Sequence, residues 1–274
     1  MLKKYLLISL LTFAATVTIA QVVNESPASA FFSLNNYTGK ARPVLSSTFN
    51  PAALANLKNS SAGIYGEQRF LLKELSFYRF ALALHTKPGN FGINGYYSGS
   101  DEYHSMSVGG AYGRKLGEKA DIGIQFDYST YQLKGYGKAS FINVQMGGLI
   151  HLSEQLHAGL HIKNLAGFRS NKQSEKLKTV YTVGLGYDAS DKFFAAIAFQ
   201  KEEDQKNDIH AMVRYDVQKN IGFKAGITTQ VPVVYGGVII GLKDFTIDVL
   251  SSYHPQLGIT PGLALQYHFQ KTRD

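Results

Sequence analysis

Gln155-Leu156-His157-Ala158-Gly159-Leu160-His161-Ile162-Lys163-Asn164 alternates apolar and polar side chains with period two. Leu156, Ala158, Leu160 and Ile162 fall on one face; His157, Gly159, His161 and Lys163 fall on the other. This is the pattern of a β-strand with one greasy and one wet side. In a soluble sandwich the greasy side is the core. In a membrane barrel it faces lipid and the histidines face the lumen. The fold turns on which side is inside.

The same unit recurs along the chain. Strands are expected near 61–70, 75–86, 90–98, 103–115, 119–132, 138–152, 156–167, 178–188, 192–201, 208–217, 220–229, 232–242, 244–253 and 257–269, an even set of about fourteen. The even-numbered connections are tight, as at Lys87-Pro88-Gly89 and Ser153-Glu154-Gln155. Most odd-numbered ones are longer or more polar, as at 169–178 and 201–208. Short turns on one rim and longer loops on the other match an outer-membrane barrel, and a sandwich supplies no reason for that alternation. The expected fold is therefore an all-β, antiparallel transmembrane barrel of about 14 strands, with a soluble periplasmic β-sandwich as the alternative.

The faces agree with this assignment. Outward candidates include Tyr78, Phe80, Leu82 and Leu84, then Ile122, Ile124, Phe126 and Tyr128, and near the end Leu263, Leu265, Tyr267 and Phe269. Lumen-facing candidates are Arg79, His85, Gln125, Asp127, Asn143, Gln145, His151, His157, His161, Lys163, His210, Arg214, Asp216, Gln266 and His268. So many ionisable groups cannot line a dry core. In the stretch 232–242 both faces compete: Val231, Val233 and Tyr235 against Val234, Val238 and Ile240.

The ends divide the chain of 274 residues into three parts. Lys3 and Lys4 precede an apolar run from Tyr5 to Ala20, and Thr18-Ile19-Ala20 suits signal peptidase, so residues 1–20 read as a cleaved secretory signal. Residues 21–60 read as an N-terminal extension or hatch, with Asn50 as cap and Pro51 as first residue of a short helix to Leu57. The barrel takes 61–274. The chain has no cysteine, which excludes disulfides and thiol chemistry. The formal charge of +8 is spread without a basic block, which speaks against nucleic acid.

No constellation marks an enzyme, and no cofactor or metal is implied. Ser105, Ser107, His104 and Asp127 carry no nucleophile motif. On one strand His157 and His161 lie about 13 Å apart, too far to share a metal. A three-residue turn at 153–155 instead sets His151 opposite His157, Leu152 opposite Leu156 and Gln145 opposite Lys163. Gly109-Gly110 and Gly147-Gly148 lie inside expected strands and suit close packing or curvature. Lys201–Asp208 reads as a solvated acidic loop, and His254–Gly262 as a rigid turn with two prolines.

With a signal peptide, fourteen strands and the segment Asn50-Pro51-Ala52-Ala53-Leu54-Ala55, the chain resembles the FadL-type outer-membrane superfamily. Within it, the small barrels of the PorV, PorQ and PorP/SprF type, associated with type IX secretion, are the most similar. The resemblance implies outer-membrane localisation and an N-terminal segment in or under the lumen. It also implies a non-enzymatic partner or scaffold role beside other envelope or secretion proteins, with outer-membrane lipid around the wall. A passive channel for hydrophobic or small solutes is the alternative. The chain departs from a FadL transporter in being shorter and in continuing past Phe269 to Asp274.

Overall fold

The protein is described by a computed structural model over residues 30–40, 43–169 and 177–269. The expected signal segment and its cleavage site lie outside the described residues. Fourteen strands follow the N-terminal segment. They are β1 (Ser61–Gln68), β2 (Ser76–His85), β3 (Asn90–Gly99), β4 (Tyr103–Leu116), β5 (Ala120–Leu133), β6 (Gly137–His151) and β7 (Leu156–Arg169), followed by β8 (Val180–Asp188), β9 (Phe193–Glu202), β10 (Asp208–Gln218), β11 (Ile221–Thr228), β12 (Val233–Gly241), β13 (Phe245–His254) and β14 (Gly258–His268). Each pairs antiparallel with its sequence neighbours, and β1 closes on β14. The closed sheet leaves no unpaired edge and excludes a two-sheet sandwich.

Period-two patterning sorts the side chains as closure requires. Ile64, Phe80, Ile93, Phe126, Ile142, Leu185, Phe199, Val213, Phe223, Val249 and Leu263 are exposed on the outside. A continuous apolar exterior of this size is unfavourable in water and favourable in hydrocarbon. On β12, Val233 and Tyr235 are buried inward while Val234 is 60% exposed, which resolves the competing faces of that stretch.

Three expectations are corrected. Three of the seven odd-numbered connections are no longer than the tight turns: β3–β4, β5–β6 and β13–β14 are joined by residues 100–102, 134–136 and 255–257, because the strands run on into residues read as loop. Within the His254–Gly262 stretch the turn is accordingly only residues 255–257, capped by the His254 ring, which accepts from the Gln256 and Leu257 amides at 3.1 Å, and residues 258–262 belong to β14. Pro261 lies in β14 beyond the last pair of β14 with β1, Glu67–Gly262, where its missing N–H costs no ladder bond to β1. Finally, Pro51–Asn56 forms a 3-10 turn rather than an α-helix. Asn50 caps it as expected, its side chain accepting from the Ala52 amide at 3.0 Å.

The core of the molecule lies inside the barrel. α1 (Ala30–Leu34), the 3-10 turns Asn35–Tyr37, Val44–Thr48 and Pro51–Asn56, and the described residues between them form a plug. Phe31, Phe32, Leu34, Tyr37, Val44, Leu45, Ala52 and Leu54 have at most 1% exposure. None of the described plug residues adds a strand to the wall.

Candidate functional site: the plugged lumen

One side of the wall receives the plug through missing side chains. Gly113, Gly123 and Gly147 are register partners across β4, β5 and β6, so their bare backbones form a continuous floor. A Cβ on Gly113 would lie 2.7 Å from the Pro51 carbonyl and 2.8 Å from the Leu54 Cβ, and one on Gly123 would collide with the Pro51–Ala52 backbone. At the edge of the floor Asn90, partner of Gly113, donates to the Leu54 carbonyl at 2.6 Å and the Leu57 carbonyl at 2.9 Å. Further round, Gly159, Gly184 and Gly186 of β7 and β8 leave the slot filled by Tyr37. The close-packing reading of Gly147 thus has a specific cause, the Asn50–Pro51 turn pressed against it.

The opposite side holds the plug through charge and aromatic faces. Lys224 on β11 and Asp248 on β13 form a buried ion pair at 2.9 Å. The Lys224 ammonium also lies 3.0 Å from the centroid of the Phe31 ring, a desolvated cation–π contact. Arg79 on β2 donates to the Thr48 hydroxyl at 2.7 Å and stacks 4.5 Å over the Phe49 ring. Gln266 on β14 accepts from the Val44 amide at 2.8 Å. Phe32, Tyr65, Phe77 and Tyr96 continue as an aromatic ladder from plug to wall, with centroids 5.4 to 6.3 Å apart.

A polar chain at the rim that carries the tight turns closes the circuit. His151 and His157 are register partners, as the turn length predicts, and their Nδ1 atoms are 2.9 Å apart. His151 Nε2 lies 3.0 Å from Asp121 on β5, and His157 Nε2 lies 3.2 Å from Asp188 on β8, off the line of a hydrogen bond. Asp188 accepts from the Thr38 hydroxyl at 2.8 Å and the Gly39 amide at 2.8 Å. Asp121 accepts a short bond from the Asn56 side chain. The plug therefore reaches this chain at two points, the Thr38–Gly39 bend and its last residue, Asn56. The carboxylates engage the outer ring nitrogens, so the paired Nδ1 atoms have no acidic co-ligand. Among the described residues no three metal-binding side chains cluster.

The other expected lumen residues fall into separate groups. Gln125, Asp127, Gln145 and His161 come together: Gln125 donates to Asp127 at 2.8 Å, Gln145 donates to the same carboxylate, and His161 Nε2 lies 3.0 Å from the Gln145 carbonyl. Lys163 and Arg79 direct positive charge at Asp127. His210 pairs with Asp208 at 2.8 Å, and Arg214 with Asp216 at 2.9 Å, each along a single strand. Asp208 also receives the Thr229 and Gln230 amides, so it caps the β11–β12 connection. His268 lies half-buried at the end of β14 beside Ser61 and Thr246. His85 has the inward register but is the last residue of β2; it is exposed at the rim, 3.0 Å from the Asn90 carbonyl, and does not line the lumen.

Gln145 and Lys163 are not opposite each other. Met146 pairs with Ile162 but Val144 with Ala166, so Lys163, Asn164 and Leu165 bulge against Gln145. Asn164 sits at φ 60°, a region asparagine tolerates, and its side chain donates to the Lys178 carbonyl at 2.8 Å. His104 stacks outside on Tyr97, on the wall face opposite Ser105 and Ser107, so that set forms no catalytic triad. Asp121, Asp188, Lys224, Asp248 and Asn90 were absent from the expected set, although each occupies an inward register position in an alternating strand.

Comparison with known proteins gives likeness of fold. No protein-family model matches the chain, and no curated protein matches it. Among solved structures, the CymD monoaromatic hydrocarbon channel is 11% identical with a TM-score of 0.68, covering 92% of this chain and 100% of its own. The toluene transporter TbuX of Ralstonia pickettii is 9% identical with a TM-score of 0.60, covering 86% of this chain and 98% of its own. The toluene transporter TodX of Pseudomonas putida is 11% identical with a TM-score of 0.60, covering 85% of this chain and 94% of its own. This chain shares the closed-barrel fold of this hydrocarbon channel and these toluene transporters.

Proposed function

We propose that this protein is a non-enzymatic outer-membrane channel for small apolar solutes, closed in the described state by its own N-terminal segment. The observation that carries the reading is the construction of the plug. It is one continuous segment seated in the lumen by side-chain contacts, with no strand shared with the wall. Such an occupant can move without unzipping the sheet. The apolar exterior suits a bilayer, and the hydrocarbon channels that share the fold supply the solute class. The test is uptake of radiolabelled toluene by Gram-negative cells carrying the protein. Uptake above that of empty-vector cells is expected, and faster uptake when residues 30–57 are deleted. No gain from either form defeats the channel reading.

A second reading is favoured by the completeness of the filling. A lumen whose occupant has Phe31, Leu34 and Leu54 at 0% exposure suits a barrel that supports partners rather than conducts. The type IX secretion role belongs to this reading, and the solved neighbours lend it no weight. Stoichiometric co-purification of envelope proteins with the intact barrel, together with absent uptake, would select it.

A further inference from the structure

We propose that Asp121, His151, His157 and Asp188 form a proton-gated latch that holds the plug at Thr38–Gly39 and at Asn56 and releases both points when the histidine pair takes up one proton more. Counting protons leads there. The chain runs carboxylate, imidazole, imidazole, carboxylate, with contacts of 3.0, 2.9 and 3.2 Å. One proton on each outer ring nitrogen and one shared between the Nδ1 atoms places three on two rings, so the pair carries a single positive charge between two carboxylates. A fourth proton sets two N–H groups against each other at the Nδ1–Nδ1 contact, where each donor needs an acceptor. The rings must then part.

Their movement is coupled to the plug at two points. His157 packs directly beneath Gly39, where even a Cβ would lie 2.9 Å from its Nε2. Asp188 holds Thr38 and Gly39, and Asp121 joins Asn56 to His151. Loss of the third proton is different. It leaves a lone pair facing a carboxylate, which weakens the chain without a steric conflict. The latch is therefore asymmetric, opening toward acid. Among the described residues, the charged groups facing the pair are Asp121 from β5, Asp188 from β8 and Lys40 from the plug, whose ammonium lies 3.9 Å from Asp188.

Amide hydrogen exchange of the mature protein in detergent micelles tests this without relying on any transported solute. Rates are compared at about pH 7.5 and about pH 5, a step across the ordinary imidazole range that leaves ordinary carboxylates ionised. After correction for intrinsic exchange, peptides within 30–57 should exchange roughly tenfold or more faster at the lower pH while the strands hold. The double variant His151→Gln/His157→Gln should abolish the pH response. His151→Asn, which keeps a hydrogen-bonding group in place, should do the same if the double variant does not fold. His85→Gln/His268→Gln, at the same rim but outside the latch, should keep the response. A plug equally protected at both pH values overturns the latch, as does a response lost in the His85/His268 variant or retained in the His151 and His157 variants.

Discussion

The two sides of the lumen hold the same plug by different physics. Away from the rim chain of Asp121, His157 and Asp188, the wall from β4 to β8 meets the plug through bare backbone at Gly113, Gly123, Gly147, Gly159, Gly184 and Gly186. Along β11 to β14, and on β2, contact is made by charged and polar groups: Lys224–Asp248, Arg79 and Gln266. A shape fit cannot be improved by adding atoms, because any Cβ meets the plug. A buried ion pair can be replaced, because its Coulomb gain is largely offset by the desolvation of both charges. The glycine side is therefore expected to set the plug's position, and the charged side to make that position conditional on its partners.

Substitutions can break this contrast. The largest effect is expected from Asp248→Ala, which leaves Lys224 buried without its carboxylate, at a cost of about 3–5 kcal/mol in urea unfolding. Lys224→Met/Asp248→Leu should recover most of that loss; if it does not, the charged side is as unforgiving as the glycine side. Gly123→Leu comes next. It overpacks the floor by about 1–3 kcal/mol and should expel Pro51–Asn56, seen as new protease cleavage within 30–57 while the barrel keeps its heat-modifiable migration. Unchanged protease resistance would mean the floor yields, against the contrast. The smallest effect belongs to Asn50→Ala, which removes the cap of the Pro51–Asn56 turn for about 1 kcal/mol. It should loosen that turn without releasing Tyr37 from its slot.

The strands were legible because period two is a local signal, and β1 to β14 begin and end within a few residues of the expected limits. The His151–His157 pairing was legible for the same reason, since a short turn fixes register between neighbours. The same rule failed at Gln145 and Lys163, where Asn164 at positive φ inserts a bulge that hydrophobic alternation does not encode. The carboxylates flanking the histidines were not legible, since Asp121 and Asp188 arrive from neighbouring strands. Nor was the glycine floor, which exists only once three strands are in register. The plug contacts are more remote still: Val44 meets Gln266 across 222 residues of chain. Inward parity alone would have added Lys224 and Asp248 to the lumen set. Only the assembled barrel shows that Phe31 lies over the ammonium.

The most direct test of the account is single-channel conductance in planar bilayers, comparing the protein with its plug intact with a form lacking residues 30–57. If the plug is the closing element of a channel, the intact protein should be closed or nearly so at neutral pH, and the deleted form should show stable, stepwise openings. A correctly inserted, heat-modifiable barrel that conducts no better without the plug would contradict it.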